Sequence, residues 1–176
     1  MHGLAAVAAH FNGKSWLKVA APPLPRTAAD ATLDGIVAVR RDGRDRLWLS
    51  GNWQPCSLLG NPCANHPFVV KGSGGRWTSE PLPTGVTAVD GLSPGRSGRP
   101  QWMTATTSNM RSSHYLRHTY GAWVLVPGVT IAGQFSPGMR VVHVPGTNAS
   151  WAVGSASDGP LISSFAPRIE LNGDLP

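Results

Sequence analysis

The chain has 176 residues and is 41% hydrophobic, long enough for one ordinary domain with its own core and too apolar for a disordered protein. Its 21 Gly and 16 Pro penalise helices and suit short strands joined by turns, and no apolar run is long enough to cross a membrane as a helix. The net charge of +6 comes from 15 basic residues spread thinly from Lys14 to Arg168, which argues against a clustered stripe for specific nucleic-acid binding.

The chain starts with a short apolar stretch, Leu4 to Ala9, which has no basic residues before it and makes a poor signal peptide. An NG step at Asn12-Gly13 and the alternating SWLKVA then predict a leading hairpin over residues 4–21, stopped by APPLP. TLDGIVAV predicts a strand with Ile36, Val37 and Val39 mostly buried. RRDGRDR, from Arg40 to Arg46, reads as a solvated hairpin tip around its DG step, and RLWLSG is the returning strand. HPFVVKG, a GSGG turn and RWTSEPLP complete a four-stranded unit over residues 29–83.

The same order repeats. Over residues 84–128 come GVTAVDGL, the turn PGRSGRP, QWMTAT, HYLRHTYG and AWVLVPG; over 136–176 come MRVVHV, PGTNAS, SWAVGS, PLISSFA and RIELNG. Trp16, Trp77 and Trp123 end three copies of one turn-and-strand pattern, and SSFAPRIELN places Ile169 at the fourth such position. The intervals are 61, 46 and 46 residues, and a second marker, Trp48, Trp102 and Trp151, recurs at 54 and 49. Periods in this range signal stacked or radial repeats, with the long first interval explained by an insertion around the cysteines.

Cys56 and Cys63 share one Pro/Asn/Gly-rich loop, NWQPCSLLGNPCANH. The spacing is too wide for a zinc knuckle and no second pair exists. A disulfide pinning this loop, which implies an oxidising, extracellular or envelope location, is preferred to two free thiols.

The pairing of HFNGKSW with LWLSG and SWAVG strands resembles bacterial β-propeller repeats, distantly similar to kelch and sialidase Asp-box repeats, over residues 10–176. The resemblance implies an all-β, β-propeller-like array of four-stranded antiparallel blades, about three and a half repeats and hence partial or open. TLDGIVAV, GVTAVDGL and MRVVHV would be its innermost strands, and the tryptophans would pack between blades. A closed propeller has four to eight blades, so an unclosed array would expose strand edges able to pair with another chain.

The motifs that could carry chemistry lack the partners it needs. GLSPG matches a serine-hydrolase elbow at Ser93, but no helix can follow it, no acid lies between Asp90 and Asp158, and no histidine follows His143. His114 and His118 would sit about 13 Å apart on a strand, too far for one ion. The aspartates, including Asp34 and Asp90, read as turn-like DG or polar contexts; Glu80 and Glu170 read as repeat positions. No facing catalytic pair is visible. GSGG precedes a strand, so it is no phosphate loop, and the sequon at Asn148 abuts a tryptophan.

What remains is recognition by loops sharing one face: Trp53, Asn65 and His66 from the cysteine loop, Asn109 and Arg111 from TTSNMRSS, and Gln134 from IAGQFSPG. Trp53 stands outside the repeated positions, where an aromatic serves as a stacking or anchoring group or else covers the loop. The expectation is a non-catalytic module for a protein or glycan partner, with no cofactor and no metal. The alternative is a fragment of a propeller-fold glycosidase or lyase whose catalytic residues lie outside this chain.

Overall fold

The computed structural model describes residues 8–11, 13–56, 63–73, 75–108, 114–128, 140–156 and 166–172, with 154–156 and 166–172 described through their backbone. Among the described residues the chain is all-β, without a helix. A leading hairpin pairs β1 (Ala8–Phe11) with β2 (Trp16–Val19). The first four-stranded sheet comprises β3 (Asp30–Arg41), β4 (Arg44–Gln54), β5 (His66–Ser73) and β6 (Arg76–Glu80). The second comprises β7 (Val86–Pro94), β8 (Pro100–Thr107), β9 (His114–Thr119) and β10 (Ala122–Pro127). A third sheet holds β11 (Arg140–His143), β12 (Ser150–Ala156) and β13 (Ala166–Asn172). Each sheet is an antiparallel meander in chain order.

Turn chemistry accounts for the tightest connections. Asp42 and Gly43 take φ of 54° and 72°, and Tyr120 and Gly121 take 49° and 83°. Two consecutive left-handed residues match the right-handed twist of the flanking strands, which is why the DG step makes the β3–β4 tip as the sequence predicts. HYLRHT forms β9, so His114 and His118 lie along a strand.

Three readings change. Ile36, expected to be mostly buried, is 57% exposed, whereas the reversal after β7 comes at Gly95–Arg99 within PGRSGRP, where Gly95 N–H donates to Arg99 O at 2.7 Å. The Asp34-Gly35 and Asp90-Gly91 steps are bulges inside β3 and β7, with register shifts between Leu33 and Gly35 and between Asp90 and Ser93. A bulge needs the same small, left-handed-tolerant residues as a turn, so local chemistry does not separate the two. RIELN, expected as an outer strand, pairs directly with β12, Val153 opposite Ile169, and so takes the third place in its sheet. Ile169 is therefore no counterpart of Trp123. Most of PLISSFA lies outside the described residues.

Side-chain alternation gives each sheet a face toward the preceding unit and a face toward the next. Val69 of the first sheet packs with Val89, Met103, Leu116 and Trp123 of the second in one buried cluster. Trp102 and Tyr115 of the second sheet pack with Ala152 of the third in another, the two rings edge to face at 6.4 Å. The Arg117 guanidinium lies 5.4 Å from the Trp102 ring centroid. At Gly35 a Cβ would stand 2.5 Å from Leu92 N and 2.7 Å from Leu92 Cβ, so only glycine lets β3 approach β7 this closely.

One carboxylate stitches the first interface. Glu80 Oε1 accepts from Trp48 Nε1 at 3.3 Å and Glu80 Oε2 from Trp123 Nε1 at 3.0 Å. Lys71 Nζ at 3.7 Å and His118 Nε2 at 3.8 Å flank the same group. Trp77 uses the same device one unit earlier, its indole N–H donating to Ala20 O at 3.1 Å. Thus Trp48, Trp102 and Trp123 lodge between units as expected, whereas Trp16 and Trp151 are exposed.

Candidate functional site

The site grows from the end of the β4–β5 pair. Trp53 and His66 are register partners, so their side chains emerge on the same face of the sheet at adjacent strands. Their rings stack with centroids 4.2 Å apart and planes 16° from parallel. Both are half-buried, which leaves part of a flat aromatic surface open. Trp53 therefore has a packing partner that its sequence position does not reveal.

Two constraints hold this platform. Cys56 and Cys63 form a disulfide with Cα atoms 6.1 Å apart, closing the loop that leaves Trp53 and returns to His66. On the other side stands Asn52, next to Trp53. Its Nδ2 donates to Val89 O at 2.7 Å and Asp34 Oδ2 at 2.8 Å; its Oδ1 accepts from Val89 N at 3.0 Å and Asn65 Nδ2 at 3.3 Å. Both donors and both acceptor sites of the amide are used, and toward Val89 it imitates a neighbouring strand's peptide group. The first sheet is thereby bonded to the second through one side chain.

Asn65 plays a supporting part. Its Nδ2 also donates to Thr87 O at 3.1 Å, so both amide hydrogens tie the returning loop to Asn52 and β7. Of the six sequence-predicted residues, the structure brings Trp53, Asn65 and His66 together. Asn109, Arg111 and Gln134 lie outside the described residues. No motif in the sequence marks Asn52; its signal is in GNWQPC, where an amide follows the LWLSG run at the position before the aromatic.

The other chemistry-bearing groups are engaged structurally. Ser93 is buried, and its Oγ accepts from the His143 backbone N–H at 3.1 Å. Asp90 pairs with Arg140 at 3.4 Å, linking β7 to β11. Asp34 accepts from Thr32 Oγ1 at 3.0 Å as well as from Asn52. What the Trp53 platform offers is an apolar, polarisable plane rigidly held at the rim of a sheet, suited to stacking against a sugar face or a partner's side chain. No family model, curated protein or solved structure matches the chain.

Proposed function

We propose that the chain is a propeller-type repeat module that recognises a protein or glycan partner and performs no chemistry itself. In this reading the three sheets are blades, with β3, β7 and β11 as their inner strands. The close approach of Gly35 to Leu92 and the Asp90–Arg140 pair support that order. A disulfide-bonded loop is compatible with an oxidising compartment, and the module would act at the envelope or outside the cell.

The observation that carries the reading is the stacked Trp53–His66 pair, held between a disulfide and a fully bonded Asn52. A rigid aromatic loses little side-chain entropy when it is covered, which is why such groups dominate recognition surfaces. The test is capture by the oxidised chain on immobilised glycans and on cell-envelope proteins. Trp53→Ala is expected to weaken capture by roughly tenfold or more, the scale of one aromatic anchor, with thermal stability near that of the unchanged chain. Equal capture by both removes the platform from the site.

A further inference from the structure

Each inter-sheet contact in this chain has two different halves. The sheet that comes first offers its onward face, carrying Trp48 in the first sheet and Trp102 in the second. The sheet that follows offers its backward face, carrying Met103, Leu116 and Trp123 in the second sheet. One face of each kind has no full sheet against it, the first sheet's backward face meeting only the two-stranded leading hairpin. The onward face of the third sheet shows Val142, Trp151 and Val153 at 61%, 43% and 45% exposure. Val142 is the register partner of Trp151, and Val153 is two residues on, so the three form one patch. The backward face of the first sheet shows Ile36 at 57% exposure. There a groove of about 900 Å³ runs between the sheet and the leading hairpin, with Ile36, Ala38, Leu47 and Trp77 in its wall.

We infer that these two faces are partners, and that the chain associates head to tail with a second copy of itself, Trp151 of one copy seating in the Ile36–Trp77 groove of the next. The occupant follows from continuity with the internal interfaces: the patch has the tryptophan that an onward face uses between sheets, and the groove has the apolar residues and outer-strand tryptophan that a backward face uses. Charged groups flank both surfaces, Arg40, Arg44, Asp45 and Arg76 in the groove wall and Arg140 opposite Val153, and each pairing would bury an aromatic that is now wet. Contact through faces, and not through strand edges, follows from the strand count. Trp16 aligns β2 with the fourth strands β6 and β10, which makes β1 a third strand; β13 already fills the third place of the last sheet. The two cannot occupy one position in a shared sheet. Because the halves differ, the contact is heterologous and generates a ring or an open filament, not a symmetric dimer. The inference does not rest on the Trp53 platform, which by strand alternation shares the backward face with Leu47 and Leu49 but lies beyond the residues that wall the groove.

The experiment is sedimentation velocity on the oxidised full chain across a wide concentration range, with Ile36→Glu and Trp151→Glu as the blocked ends. The unchanged chain is expected to grow beyond two copies as concentration rises, and each variant alone to remain a single chain. An equimolar mixture of the variants should form pairs and nothing larger, because each retains one competent face. Val142→Glu repeats the trailing-end test at a more exposed position, and circular dichroism confirms that each variant keeps its strand content. A monomeric unchanged chain at all concentrations overturns the inference. So does a mixture that fails to pair, or an Ile36→Glu variant that dimerises alone, which would mean that two Trp151 patches meet each other.

Discussion

Trp123 in the second sheet donates its indole hydrogen to Glu80 in the first, across 3.0 Å, and the other oxygen of the same carboxylate receives Trp48. The acid therefore bonds one tryptophan of its own sheet and one of the next. Removing it leaves two indole N–H groups in surroundings that exclude water. Glu80→Ala is expected to lower unfolding free energy by about 3 kcal/mol, two donors losing an ionised acceptor at a largely buried site. Urea denaturation measures this, and a loss under about 0.5 kcal/mol would mean that the carboxylate acts as an ordinary surface charge.

The second interface provides an internal control. Trp102 is as buried as Trp123, but its Nε1 has no hydrogen-bond partner among the described residues. The residue three after Trp77 is Glu80, whereas the residue three after Trp123 is Val126, which packs beside Trp102 and offers no acceptor. Trp102→Phe deletes an unpaired donor; Trp123→Phe deletes a paired one. The Trp123 variant is expected to be less stable than the Trp102 variant by about 1–2 kcal/mol, measured as the difference between two denaturation midpoints at a common slope. Equal costs would show that ring volume alone matters at both places.

Asn52 is the corresponding link nearer the platform. Replacing its amide with a carboxylate removes both donors and sets a negative charge against Val89 O and Asp34. Asn52→Asp is expected to cost at least about 2 kcal/mol. Hydrogen exchange reports the same bond locally: the Val89 amide, which donates to Asn52 Oδ1, should exchange faster in Asn52→Ala than in the unchanged chain. An unaltered rate would break the proposed link between the sheets.

The disulfide should matter more to the platform than to the sheets. Joining residues this close in sequence removes a small loop from the unfolded ensemble, worth about 2 kcal/mol. Cys56→Ser with Cys63→Ser is expected to lose that amount. The loss should appear chiefly as faster exchange and proteolysis between Gln54 and His66, with the Val69–Leu116 core unchanged. Uniform destabilisation across all three sheets would place the loop inside the main folding unit.

Particular residues show why some features were readable in advance and others were not. Strand identities and the tip at Asp42-Gly43 depend on alternation and on backbone preferences, which act over a few neighbouring positions. The spacing of Trp48, Trp102 and Trp151 announced equivalent places in successive units, and the pairing of Cys56 with Cys63 follows from a loop short enough to close. The role of Glu80 was invisible because its partners lie in four other strands, including one more than forty residues later. The stacking of Trp53 on His66, the four bonds of Asn52 and the third-place position of RIELN are likewise matters of which strand lies beside which. The sequence alone determined the all-β character and the repeat, because those depend on local pattern and period. Only the tertiary structure decided which tryptophans are covered and which carboxylate receives them, because burial and hydrogen bonding depend on what the neighbouring sheet brings within reach.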